Sequence, residues 1–100
     1  SMFNQALVFN QSLNTWDVSQ VLNMSSMFEG AISFNGNITT WNVGSVANMS
    51  RMFLGATAFN QDLNAWDVSA CIFFNSMFAN ATTFNGNIAG WKLSSAQYLY

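Results

Sequence analysis

A strict 25-residue repeat is the feature that most constrains the fold of this chain. Tryptophan and phenylalanine each recur every 25 residues, with no insertion between copies. The residues are Trp16, Trp41, Trp66 and Trp91, and Phe9, Phe34, Phe59 and Phe84. Self-similarity at a period of roughly 20–50 residues is typical of proteins that stack one structural unit. We therefore predict a single solenoid domain over residues 1–100. Its four repeats are 1–25, 26–50, 51–75 and 76–100.

Apolar spacing within each repeat predicts one short helix and one short strand. Apolar residues occur at i, i+3, i+4 and i+7, the spacing of one helix face. The first such set is Met24, Met27, Phe28 and Ala31. Farther along the repeat, Trp-x-Val alternates with period two, which indicates a strand. The expected fold class is thus α/β: a right-handed leucine-rich-repeat-like solenoid with one short parallel β-strand and one short helix per repeat.

The residues common to all repeats are predicted to form the core. Stacked Trp, Phe and Met side chains explain these positions better than an aromatic platform for sugars. Cys71 takes the place of Val21 and Val46, so we expect a small buried side chain there rather than a reactive thiol. The asparagine that follows each Phe should bond to its stacked equivalents and to turn backbone. These are Asn10, Asn35, Asn60 and Asn85.

The motif also resembles a known type of repeat. The similarity is carried by the segments FNQSLNTWDVSQVLNMSSMFEGA, FNGNITTWNVGSVANMSRMFLGA and FNQDLNAWDVSACIFFNSMFANA. They are similar to the BspA-like, or mycoplasma-type, surface-protein repeat, a divergent relative of leucine-rich repeats. This resemblance covers essentially the whole chain. It implies an extracellular or cell-surface protein used in adhesion or recognition, and it implies no chemistry and no transferable binding residue.

Composition argues against several classes of function. Only 6% of the residues are charged, the net charge is −2, and Arg51 and Lys92 are the only basic side chains. Nucleic acid is therefore not an expected partner, because Lys and Arg dominate that affinity. No apolar run approaches the roughly 20 residues that span a bilayer, so we expect no membrane insertion. There is no histidine and no set of catalytic residues. We expect no enzyme and no cofactor.

Residues that flank the inward strand positions provide the candidate binding face. They form two columns, one residue per repeat: Thr15, Thr40, Ala65 and Gly90, and Asp17, Asn42, Asp67 and Lys92. Thr15, Asp17, Thr40, Asn42, Asp67 and Lys92 are our candidate contacts for a protein or cell-surface ligand. A merely solvated face is the competing interpretation. We expect no metal site, because strand spacing puts the two aspartates about 10 Å apart.

The ends of the repeat array provide a second candidate surface. Tyr100 occupies repeat position 25 and Ser1 occupies position 1, so a second molecule would continue the repeat in register. An uncapped end would expose on the order of 400 Å² of apolar surface, which is comparable to the largest patch on a typical monomer. We expect either end-to-end homo-oligomers or a segment of a longer array. The candidate assembly residues are Met2, Phe3, Tyr98, Leu99 and Tyr100.

Two functions follow from these surfaces. The first is a non-catalytic cell-surface protein-interaction or adhesion module with a repeat-built binding face. The alternative is a structural unit that self-assembles through its open ends.

Overall fold

A computed structural model describes residues 10, 12–86, 88, 91 and 93 of the chain. Within these residues there is no helix, and the only strand-like pairs are two isolated parallel bridges, Asn23 with Asn48 and Asn48 with Phe73. The predicted α/β leucine-rich-repeat-like solenoid, with a strand and a helix in each repeat, is therefore wrong. The described chain is a compact globule built from successive turns.

The segment predicted as a helix divides its backbone hydrogen bonds between two directions. The N–H of Glu29 donates to the carbonyl of Ser26, 3.2 Å away in its own turn, but the N–H of Phe28 donates to the carbonyl of Met52 at 2.8 Å. An α-helix needs every N–H to bond four residues back along the same segment. Ser26 and Gly30 also have left-handed backbone, with φ of 58° and 70°. The helical spacing of apolar residues here reflects burial of a turn, not a helix.

The Trp-x-Val step has the burial of a strand without its hydrogen bonds. Trp41 and Val43 are buried, whereas Asn42 between them is exposed. The N–H of Trp41 nevertheless bonds back to the carbonyl of Ile38 at 3.2 Å, and that of Val46 bonds back to Val43 at 3.0 Å. These N–H groups are used in turns, so no strand ladder forms at the predicted place.

Successive repeats lie on one another through backbone bonds between residues 24 apart. These bonds join the N–H and carbonyl groups of Met24 and Asn48 at 2.8 Å, Phe28 and Met52 at 2.8 Å, Met49 and Phe73 at 2.9 Å, and Phe53 and Met77 at 2.9 Å. Each pair recurs 25 residues later, so the pattern of these hydrogen bonds has the period of the sequence.

Three aromatic columns fill the interior between the repeats. Ring centroids are 5.6 and 5.4 Å apart along Phe28, Phe53 and Phe78, 5.8 and 5.9 Å along Phe34, Phe59 and Phe84, and 6.5 Å at both steps along Trp41, Trp66 and Trp91. All rings in a column are nearly parallel. Most of these side chains are buried, so the predicted aromatic core is confirmed. Cys71 is buried as well, as predicted.

Candidate functional site

The predicted outward columns do lie on the surface. Exposed residues among them are Thr15, Asp17, Thr40, Asn42, Asp67 and Ala65. Lys92 and Gly90 lie outside the described residues, as do all five predicted assembly residues, Met2, Phe3, Tyr98, Leu99 and Tyr100. The two columns therefore have described candidates only in the first three repeats.

Three of the candidate side chains hold the backbone of their own turns. The Oδ1 atoms of Asp17, Asn42 and Asp67 each accept a hydrogen bond, at 3.0 Å, from the backbone N–H two residues later, in Ser19, Gly44 and Ser69 respectively. Such Asx turns are a local structural use of Asn and Asp. These side chains are therefore held in fixed directions.

Asp17 makes a second polar contact with Ser19. Its Oδ1 also accepts a hydrogen bond from the hydroxyl of Ser19 at 2.6 Å. The two bonds from Ser19, first the hydroxyl and then the backbone N–H, stabilise the carboxylate and lower the pKa of Asp17, against a smaller opposing effect of burial. Asp17 thus presents a fixed negative charge on an otherwise nearly uncharged surface.

Thr40 is held by the preceding repeat. Its hydroxyl donates to Oδ1 of Asn14, and its backbone N–H approaches the same atom at 3.3 Å. The threonine therefore joins two repeats, a role that its outward position did not predict. Thr15, the equivalent residue in the first repeat, makes no such hydrogen bond to another described residue.

The Asx turns of the column have a recognisable sequence pattern. In these three turns, Asn or Asp stands two residues before Ser or Gly. Further examples are Asn23 with Ser25 at 2.8 Å, Asn37 with Thr39 at 2.9 Å and Asn48 with Ser50 at 2.9 Å. Several of these triplets have the Asn-x-Ser/Thr form of a glycosylation sequon, but here the pattern marks turns.

The asparagine column forms a ladder that crosses the repeats. Oδ1 of each asparagine accepts a hydrogen bond from the backbone N–H of its equivalent in the next repeat: Asn10 from Asn35 at 2.7 Å, Asn35 from Asn60 at 2.8 Å, and Asn60 from Asn85 at 2.7 Å. The predicted bonding of these side chains to turn backbone is confirmed. It gives them a structural role within the stack.

Tryptophan makes a second ladder along the stack. The indole Nε1–H of Trp41 donates to the carbonyl of Leu13 at 2.8 Å, and that of Trp66 donates to Ile38 at 3.1 Å. Trp91 repeats the contact with the carbonyl of Leu63 at 2.8 Å. Each of these three tryptophans therefore bonds to the backbone of the apolar residue at position 13 of the preceding repeat.

The two ends of the described stack expose the positions that this ladder covers in the middle. Trp16 is 42% exposed, against 4% for Trp41, and it lines a groove of roughly 250 Å³ with Val18, Val21 and Met24. The opposite end has a groove of roughly 530 Å³. Its lining includes Phe74, Met77, Phe78, Ile88, Trp91 and Leu93.

The exposed residues of the second groove match buried residues elsewhere in the chain. Ile88 is 36% exposed, yet its equivalents Leu13, Ile38 and Leu63, whose carbonyls accept the indole bonds, are buried. Leu93, which is 42% exposed, is equivalent to the buried Val18 and Val43. One end of the described stack thus exposes Trp16, and the other exposes Ile88 and Leu93. The equivalents of all three residues are buried inside the stack.

Comparison with known proteins identifies the family. The family model described as "Mycoplasma protein of unknown function, DUF285" matches residues 1–99. The chain belongs to this family. The match agrees with the mycoplasma-type, BspA-like part of the resemblance seen in the sequence, and it gives no support to a leucine-rich-repeat relationship. No curated protein and no solved structure matches the chain.

The described residues contain neither a helix that could span a membrane nor a cluster that could bind a metal ion. None of these residues belongs to a helix long and apolar enough to cross a bilayer. Nor does this part of the chain contain a group of three or more His, Cys, Asp or Glu residues that could hold a metal ion. The candidate surfaces of this DUF285 chain are therefore the column of Asx turns and the two apolar grooves.

Proposed function

We propose that this DUF285 chain is a non-catalytic protein-interaction module that stacks end to end on a second copy of itself. The observation that carries the proposal is the exposure of Trp16 at one end, while its equivalents Trp41 and Trp66 are buried on a preceding repeat. A second copy offers Ile88, which is equivalent to Leu13 and Ile38, the residues whose carbonyls accept the indole bonds of Trp41 and Trp66, and the exposed Leu93 of the same groove. The proposed contact continues an interface that the chain already makes between its own repeats.

Apolar burial gives this contact its driving force. The lining of both grooves is dominated by apolar side chains, and the few charged residues of the chain provide little electrostatic repulsion between copies. Since the two ends differ, the contact is heterologous, and each copy retains one open end. Such contacts produce filaments unless the rotation between copies closes a ring.

The test is sedimentation velocity over a wide concentration range. We expect the wild-type chain to grow with concentration and the Trp16→Lys variant to lose this growth. Thr15→Lys is the matched control, because it adds the same charge to the neighbouring exposed residue. The Ile88→Asp variant should also lose higher oligomers. Circular dichroism would confirm that each variant retains the fold.

Mixing the two end variants distinguishes stacking from unspecific apolar association. The Trp16→Lys copy retains its Ile88 end, and the Ile88→Asp copy retains its Trp16 end. A mixture should therefore form 1:1 dimers and nothing larger. A strictly monomeric wild-type chain, or oligomers of unchanged size in both variants, would refute the proposal.

A second candidate function is adhesion through the column of Asx turns, at a cell surface. The supporting observation is that Asp17 and Asn42 are exposed in adjacent repeats and are fixed by hydrogen bonds to their own turns. Fixed side chains lose little conformational entropy on binding. The extracellular location rests on the family resemblance alone.

Conservative variants test adhesion without breaking the turns. Asp17→Asn with Asp67→Asn removes the charge of the column and keeps an oxygen that accepts the turn bond. Asp62→Asn is the control, because Asp62 also accepts a turn bond, at 2.9 Å from the N–H of Asn64, but lies outside the column. Binding to immobilised extracellular-matrix proteins should fall only in the double variant. Equal binding by the double variant and the control would exclude this face.

A further inference from the structure

The same five-residue sequence occurs at two places in the chain. Phe-Asn-Gly-Asn-Ile occupies residues 34–38 and again residues 84–88. Asn-Gly is the dipeptide in which asparagine loses its side-chain nitrogen most readily, because glycine has no side chain to hinder the approach of its backbone nitrogen. Judged by local sequence alone, Asn35 and Asn85 should react at the same rate.

The structure holds the carboxamide of Asn35 in place. Its Oδ1 accepts hydrogen bonds from the backbone N–H of Asn60 at 2.8 Å and from Nε2 of Gln61 at 3.0 Å. Gln61 Nε2 also lies 2.9 Å from the backbone carbonyl of Asn35, to which it donates. The neighbouring Gly36 is buried. The carboxamide is thus directed at the next repeat, and its glycine is shielded from water.

Asn85 occupies the last described rung of the asparagine ladder and lacks this restraint. Its backbone N–H donates to Asn60 at 2.7 Å, but its own side-chain amide receives no hydrogen bond from any residue in the described part of the chain. Asn35 and Asn85 are both exposed, but Gly86 is partly exposed whereas Gly36 is buried. The two identical pentapeptides therefore differ in the two properties that control the reaction, carboxamide freedom and access of water.

We propose that Asn85 is a site of spontaneous deamidation and that Asn35 is protected by the fold. The backbone nitrogen of Gly86 loses its proton to water or hydroxide and attacks Cγ of Asn85. A C–N bond forms, the bond from Cγ to the side-chain nitrogen breaks, and ammonia leaves. Water then opens the resulting succinimide at either carbonyl, which gives aspartate or isoaspartate at position 85. The product adds one negative charge at the end of the stack that contains Ile88.

Protection of Asn35 follows from the cost of releasing its carboxamide. Before Gly36 can attack Cγ, the side chain must turn away from Asn60 and Gln61 and leave their N–H groups unpaired. The loss of these two hydrogen bonds slows the reaction by roughly tenfold or more. Burial of Gly36 slows it further, because base must reach the glycine N–H to remove the proton.

Peptide mapping by mass spectrometry tests the proposal on the intact folded chain, used as the Trp16→Lys variant so that no second copy covers the end that contains Asn85. After incubation in mildly alkaline buffer, tryptic cleavage at Arg51 and Lys92 separates Asn35 from Asn85 onto different peptides. We expect deamidated product, including isoaspartate, to accumulate at Asn85 roughly tenfold or more faster than at Asn35. In urea-unfolded chain the two rates should become equal, since the local sequences are identical. Equal rates in the folded chain, or a faster Asn35, would overturn the proposal.

A variant tests the protective contact directly. Gln61→Ala removes one hydrogen bond to Oδ1 of Asn35 and should speed deamidation there by several-fold, with Asn85 unchanged. An unchanged rate at Asn35 would show that Gln61 provides no protection and would contradict the proposed mechanism. Gly86→Ala is not a suitable control. An added Cβ there would lie 2.2 Å from the carbonyl oxygen of Gln61 and 2.7 Å from the ring of Phe84, so the variant would also disturb packing.

Discussion

The indole Nε1–H of Trp66 donates to the backbone carbonyl of Ile38, 3.1 Å away in the preceding repeat. The contact is buried, so the indole is a second donor, beside the N–H of Trp41, to a carbonyl sealed from water. A column of phenylalanines could fill similar space but could not make this bond. The bond explains why the column consists of tryptophan, a requirement that hydrophobicity alone does not impose.

Trp66→Phe is expected to destabilise the chain by about 0.5–1.5 kcal/mol, because the buried carbonyl of Ile38 loses one of its two donors and keeps only the N–H of Trp41. Urea unfolding measures the change. Trp16→Phe is the matched control, since Trp16 is 42% exposed at the end of the stack, and it should cost clearly less. Equal losses in the two variants would contradict the role assigned to the indole bond.

Arg51 has left-handed backbone, with φ of 59°, which strains any residue that has a Cβ. We expect Arg51→Gly to be more stable than Arg51→Ala by about 1 kcal/mol, because only glycine adopts this conformation freely. Gly55, with φ of 71°, gives the converse test. Gly55→Ala should cost about 1–2 kcal/mol from backbone strain, since its Cβ would meet only Gly30 at 3.9 Å. Thermal unfolding of the wild-type chain and of the three variants would decide both comparisons.

The hydrogen bonds from Ser19 lower the pKa of Asp17 below its ordinary value of 3.8. The resulting stabilisation is therefore fully present above pH 3.8 and is lost as the pH falls through the folded-state pKa. Ser19→Ala removes the hydroxyl bond, so the pKa of Asp17 should rise toward its ordinary value. NMR titration of the Asp17 carboxyl measures this. Ser69→Ala, which alters the equivalent serine beside Asp67, should leave the pKa of Asp17 unchanged.

Burial raises the pKa of the Cys71 thiol above its ordinary value of 9.0, an effect that exceeds the opposing backbone hydrogen bonds. We expect the thiol of the folded chain to react slowly with iodoacetamide at neutral pH, and the rate to rise on unfolding in urea. Cys71→Val should retain stability within about 1 kcal/mol, because Val46 fills the equivalent buried position. Rapid alkylation of the folded chain would show that the thiol is accessible.

The candidate surfaces were predicted in part. Repeat position predicted that Asp17, Asn42 and Asp67 lie outward, and all three are exposed; the Trp-x-Val neighbours of Asn42 and Asp67 are buried, whereas Trp16 beside Asp17 is exposed. Their engagement with Ser19, Gly44 and Ser69 was not predicted, although the Asx-x-Ser/Gly pattern was visible. The exposed end residues Trp16 and Ile88 were missed, because by sequence they are equivalent to buried residues. Only the position of a repeat within the stack makes them different.

The secondary structure was predicted wrongly for a related reason. Apolar residues at helical spacing around Phe28 fit a helix, and Trp41-Asn42-Val43 fits a strand. Neither pattern reveals where the backbone N–H groups find their partners. In the folded chain the N–H of Phe28 bonds to the next repeat, whereas that of Glu29 bonds within its turn, so the segment is neither element. Packing between repeats overrode local preference.

The sequence by itself determined the 25-residue period, the side chains that stack in the core and the nearly uncharged surface, because each depends only on residue type and spacing. Tertiary structure decided which backbone groups pair, which copy of a repeated residue is buried, and which of two identical Asn-Gly sites is held. Asn35 has a repeat above it that supplies Asn60 and Gln61, whereas Asn85 receives no such bonds from the described residues. Identical local sequence acquires different chemistry here because hydrogen bonding and water access are set by neighbouring repeats.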